Sequence, residues 1–175
     1  MSREFIELYR WRNGTRQNQS STDTSFFVYH RFLPLEEALN NFRMCYSIMK
    51  EFYEITDWVL TFQDAAGDGY GILGCDESQE STPVAFLFEG EGVNIAFEAL
   101  TKMMKTVVAW YEEGVFSTGH DGVLETNFVH MGQVAHRLNP NIHCWKQYVA
   151  YSESNRRSPS SASWIQRIMR GLTRH

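Results

Sequence analysis

Between Glu51 and Glu98 the chain carries no lysine and no arginine, although eleven carboxylates fall in that stretch. A field of that sign repels phosphates, so nucleic acid is excluded as a ligand and a basic protein partner is favoured. No run of eighteen apolar residues occurs, and the N-terminal segment is charged from Arg3 onward. Both absences argue against a membrane span, stable membrane insertion or a signal peptide. The three cysteines (Cys45, Cys75 and Cys144) are odd in number, far apart and in no CxxC pair. They read as reduced thiols of a cytoplasmic protein rather than as staples or metal ligands. There is no internal repeat.

What is present suffices for a packed domain. At 175 residues, 43% apolar and 14% aromatic, the chain is long and apolar enough to bury a core. Charge is divided along it. Residues 152–175 hold five Arg and one Glu, whereas the preceding 151 hold 11 basic and 20 acidic side chains. The spacing predicts one domain over 1–151, a Ser-rich linker over 152–163 and a short basic amphipathic tail over 164–175. That tail is too short to hold a helix alone in water, and self-docking or disorder is expected of it rather than membrane binding.

The centre of the chain is Trp58–Phe88. Three short runs, Trp58–Phe62, Tyr70–Gly74 and Val84–Phe88, are rich in β-branched or aromatic residues and bounded by Gly, Asp, Ser or Pro. That is the pattern of strands joined by turns. Ahead of them, Ser2–Trp11 has a helical stripe (Phe5, Leu8, Tyr9) stopped by Asn13-Gly14, and Phe26–Tyr29 is a short strand candidate. A second helix opens at Leu33-Pro34-Leu35-Glu36-Glu37 and carries Leu35, Ala38, Leu39, Phe42, Cys45, Tyr46, Met49 and Tyr53 toward the core. After the strands, Ile95 to about Glu113 reads as a helix that Gly114 ends. Val115–Thr126 reads as loop with one short strand near Leu124. Asn127 caps a helix over Phe128–Leu138, and Trp145–Tyr151 is a last strand or turn. Helices before and after a block of strands make an α+β fold, a mostly antiparallel sheet with helices packed on it. Trp11, Trp58, Trp110 and Trp145 are expected in the core.

Enzyme motifs are missing. Gly67-Asp68-Gly69-Tyr70-Gly71 lacks the Lys and Ser/Thr of a phosphate loop and reads as a tight turn. Calcium binding by Asp64 and Asp68 lacks further oxygen ligands at alternate positions. His120, Asp121, His130, His136 and His143 gather in the last third, but without an HExxH and with His130 and His136 six apart. No catalytic residue, metal or cofactor is expected.

Three ordered motifs resemble the SUKH superfamily, and more closely its Smi/Knr-type branch of fungal cell-wall-assembly and killer-toxin-resistance regulators. They are Leu8-Tyr9-Arg10-Trp11-Arg12-Asn13-Gly14-Thr15, then Arg31-Phe32-Leu33-Pro34-Leu35-Glu36-Glu37-Ala38, then Trp58 with Gly67-Asp68-Gly69-Tyr70. The helix Phe97–Tyr111 and His136–Asn141 follow in the same order, so the resemblance covers about residues 4–150. It marks Trp11, Asn13, Gly14, Trp58, Gly67, Gly69 and Tyr70 as structural motif positions. It implies a non-enzymatic protein-binding domain: an immunity protein that neutralises a cognate bacterial toxin, or alternatively a regulatory scaffold with several partners.

The carboxylates supply the candidate surface. In a meander, turns alternate between the two ends of the sheet. Asp64, Asp68, Glu89 and Glu91 are then expected at one end, and Asp76, Glu77 and Glu80 at the other. Such a rim steers a basic, nuclease-like toxin into contact. The same residues also serve as turn formers and solubilising charge, and Asp68 is expected to satisfy turn amides.

Overall fold

The structure, a computed structural model, describes residues 2–15, 26–27, 29–74, 80–88, 92–120 and 124–154. The basic tail, and the linker from residue 155 on, lie outside them. The fold is α+β, and the chain divides into two compact units, Met1–Met103 and Met104–His175.

The first unit begins with α1 (Arg3–Trp11), whose N-cap Ser2 accepts from the Phe5 N–H. There follow β1 (Arg31–Phe32), α2 (Leu35–Tyr53), β2 (Trp58–Gln63), β3 (Gly69–Leu73), β4 (Val84–Phe88) and β5 (Gly92–Phe97). The strands form one antiparallel meander in the order β1-β2-β3-β4-β5. A bulge between Leu60 and Phe62 reverses the side-chain alternation of β2. Phe62 thereby joins Tyr70, Phe86 and Phe32 on one face, while Trp58 and Leu60 take the other. Tyr9 of α1 lies on the first face, 5.1 Å from Phe32. On the second face Phe42 of α2 meets Trp58 at 5.7 Å. With a helix over each face, the central strands lose the clean alternation of a half-exposed sheet.

The second unit holds the rest of α3 (Leu100–Glu112), a hairpin of β6 (Phe116–Thr118) and β7 (Leu124–Thr126), then α4 (Phe128–Leu138) and α5 (His143–Ser154). Gly114, at φ 67, closes α3 in the left-handed conformation that favours glycine. Asn127 caps α4 by accepting from the His130 N–H at 3.1 Å. Trp110 is the centre of this unit. It is buried, its indole N–H donates to the Met131 carbonyl at 3.0 Å, and its ring meets Trp145 edge-on at 6.2 Å.

Four expectations are corrected. Ile95, Ala96 and Phe97 belong to β5, not to the following helix, which starts at Leu100. The Phe97–Leu100 spacing of three matches a helical stripe by coincidence, and pairing with β4 decides the matter. Trp145–Tyr151 lies in α5 rather than in a strand. Its aromatic content suggests β structure, yet Trp145 and Tyr148 sit three apart and both turn inward. The strand expected at Phe26–Tyr29 falls at Arg31–Phe32. Phe27 and His30 form an isolated bridge around Tyr29, whose φ of 66 breaks the extended run. Trp11 is 61% exposed, not core: it stands in the last turn of α1, about 120° round the helix from Phe5.

Cys144 is buried, and desolvation pushes its thiol up to about 12. A folded-state value above the usual one means the neutral thiol stabilises the fold fully below pH ~9, and that contribution is lost as pH rises toward about 12. Replacement by Ala is therefore expected to flatten the alkaline limb of a stability–pH curve relative to the parent. Equal slopes for the two proteins would show the thiol titrating normally.

Candidate functional site

The turn between β2 and β3 is built by Asp64. Its carboxylate accepts from the Ala66 N–H at 2.8 Å, and its own N–H donates to the Asp68 carbonyl at 2.9 Å. Gln63 braces the same turn by donating to the Gly67 carbonyl at 3.2 Å. Gly67 stands at φ 101, and a Cβ on Gly69 would lie 2.0 Å from the Phe62 carbonyl oxygen. Those two glycines are therefore demanded by backbone geometry, one by conformation and one by the close approach of β2. Tyr70 is buried, its ring 4.6 Å from Phe86 and 5.1 Å from the buried His30.

Strand order places the 64–68 turn and the β4–β5 connection at one end of the sheet, since Gln63 pairs with Gly69 and Phe88 with Gly92. Asp64 and Asp68 are half-buried there; Glu89 and Glu91 lie outside the described residues. At the opposite end Glu80 is exposed, while Asp76 and Glu77 lie outside the described residues. Glu80 is close enough to act on Arg3. Its charge adds to the hydrogen bond and charge of Glu7 in holding that guanidinium above its ordinary value. Glu80 thus acts on a base of the molecule itself.

The remaining motif positions form a joint between α1 and α2. Asn13 Oδ1 accepts from the Leu35 N–H at 2.7 Å, and Asn13 Nδ2 donates to Glu36 at 3.3 Å. Pro34, at the N-cap position of α2, supplies no side-chain cap, so a residue from another segment caps this helix. Gly14, at φ 78, lets the chain pass Pro34, where a Cβ would lie 2.5 Å from the Pro34 nitrogen. Thr15 then bonds the Phe32 carbonyl through both its N–H (2.8 Å) and its hydroxyl (3.1 Å). Tyr9 donates to the Leu33 carbonyl at 3.2 Å. The first two sequence motifs are therefore two halves of one contact. A shallow hollow of about 460 Å³ opens beside Trp11, Arg12, Asn13 and Gly14. Arg12 Nε donates to the Gly14 carbonyl at 3.0 Å, and the neighbouring Trp11 indole is exposed.

Glu4 plays a similar bridging part: its carboxylate accepts from the Thr82 N–H at 3.1 Å and from the Thr101 N–H at 3.2 Å. In the second unit Glu113 holds Arg137 and stands 3.8 Å from His130. Among the described residues no three His, Cys, Asp or Glu side chains converge as metal ligands. The raised thiol of Cys144 leaves almost no thiolate for nucleophilic attack near neutral pH.

Sequence reading missed a surface on α2. The helix was expected to turn its apolar stripe inward, and Ala38 and Met49 are indeed buried. Met44, Ile48 and Phe52 form a second row at intervals of four and are 73%, 53% and 69% exposed. Their spacing was the available signal, because nineteen residues of helix held more apolar positions than one core-facing stripe uses.

Comparison with family models, with curated proteins and with solved structures finds no match to this chain.

Proposed function

We propose that this is a non-enzymatic protein-binding domain of the SUKH type, an immunity protein that captures a basic, nuclease-like toxin at the acidic end of its meander. Capture is stoichiometric, by docking over the toxin's cleft without turnover, in the cytoplasm. The observation that carries the reading is topological. Antiparallel order brings the turn of Asp64 and Asp68 to the same end of the sheet as the β4–β5 connection, and the sequence from Glu51 to Glu98 is devoid of bases. No helix among the described residues is long and apolar enough to cross a membrane. The exposed row on α2 supports the scaffold reading as well, since it offers a second surface to further partners.

The test begins with a one-to-one complex purified from native cells and identified by mass spectrometry. Reversing Asp64, Asp68, Glu89 and Glu91 to Lys is expected to slow association with that partner about tenfold or more and to remove its salt dependence. Asp64→Asn separates charge from turn geometry, since the amide oxygen still accepts from Ala66. Unchanged association kinetics in the reversed variant would place the interface elsewhere.

A further inference from the structure

The exposed row on α2 ends in an unusual way. Glu51 lies on the same face as Met44, Ile48 and Phe52, seven residues after the first and three after the second. Glu54, in the left-handed conformation at φ 56, and Asp57 follow, and all three carboxylates are exposed. Each choice runs against local stability. Carboxylates at a helix C-terminus oppose the macrodipole, and a left-handed cap favours Gly or Asn over Glu. Lys50, the one base of the last turn, points about 160° away from Ile48 and Phe52, and Arg43 lies about 100° round from Met44. The face is thus apolar along its length, carries Glu51 near its end and no base, and is followed in the chain by the exposed Glu54 and Asp57.

From that pairing of exposed apolar side chains with unanswered carboxylates we infer that α2 docks an amphipathic basic helix of a partner protein. The partner's apolar residues pack along Met44, Ile48 and Phe52, and its Lys or Arg side chains meet Glu51, Glu54 and Asp57. A second copy docking through its own α2 is the poorer complement, because that face brings the same carboxylates and no base. Helix-on-helix packing of this kind reads as anchors spaced three and four residues apart. The inference goes beyond the toxin-capture reading and stands on α2, not on the end of the meander.

The probe is a synthetic amphipathic peptide of about 18 residues, with leucines at helical spacing and lysines along the margins, alongside a twin in which every lysine is glutamate. Binding to the isotope-labelled full chain is followed by amide shifts and by titration at two salt concentrations. Shifts confined to residues 40–57 are expected. The glutamate twin, the Met44→Ser/Phe52→Ser variant and the Glu51→Lys/Glu54→Lys variant should each bind about tenfold more weakly or worse. These side chains are exposed, so the variants are expected to fold, and circular dichroism checks that they do. Equal binding of the two peptides, shifts centred on the 64–68 turn, or unaltered affinity of the serine variant would each overturn the inference. So would a dimer in light scattering that the serine variant abolishes, since the occupant would then be a second copy. The α2 variants leave Asp64 and Asp68 untouched, so failure here and failure of the toxin-capture reading are read independently.

Discussion

Trp110→Ala is expected to destabilise the second unit by about 3–5 kcal/mol, the range for emptying a buried tryptophan site. The side chain is 1% exposed and meets Phe116 and Trp145 edge-on at 6.4 and 6.2 Å. Removal leaves a cavity where α3 meets α4 and α5, and it also deletes the indole bond to the Met131 carbonyl. Trp110→Phe keeps much of the packing and loses that bond, so a cost of about 1–2 kcal/mol is expected. Amide exchange along α4 and α5 is the measurement. Protection should fall for the alanine variant by far more than for the phenylalanine one. A loss below about 1 kcal/mol for Trp110→Ala would mean that this residue does not organise the unit.

Gly14→Ala is expected to cost the first unit about 3 kcal/mol. Two terms combine. A non-glycine residue in the left-handed region costs roughly 1–2 kcal/mol, and forcing a methyl group into packed atoms typically costs about 1–3. At Gly14 those atoms are the nitrogen and Cα of Pro34, at 2.5 and 2.8 Å, so backbone must move. Moving it pulls Asn13 off the start of α2. Asn13→Ala removes the cap alone and should cost about 1 kcal/mol. Gly67→Ala is the control for conformation without crowding. Its φ is 101, but nothing lies within 4 Å of the added methyl, so about 1 kcal/mol is expected. Urea unfolding followed by far-ultraviolet circular dichroism ranks the three. Should Gly14→Ala cost no more than Gly67→Ala, the tight joint between α1 and α2 would be disproved.

Elements with both a period and a punctuation mark were legible in advance. The runs over β2, β3 and β4 carry β-branched and aromatic residues between turn formers, and their bounds in the structure differ from expectation by a residue at most. Gly114 and Asn127 marked helix ends for the same reason: each acts through its own backbone or its nearest neighbours. β5 was illegible because its one flanking turn signal runs straight into a helical stripe. The hairpin of β6 and β7 was half-seen, three-residue strands being too short to show a period. The candidate site was legible only as topology. The meander fixes which turns share an end, but the Asp64 carboxylate is committed to the Ala66 amide, and no spacing announces that.

By itself the sequence determined the fold class, the meander, the helix ends that carry their own caps and the acidic character of the middle of the chain. These are local properties, set by backbone preferences and by apolar spacing within a few residues. Only the tertiary structure decided that Asn13 caps a helix 22 residues away, that Glu4 serves the start of α3 across 97 residues, and that Met44, Ile48 and Phe52 face outward. Those outcomes depend on which segments meet, and a helix whose apolar residues exceed one stripe cannot say alone which row the sheet will take.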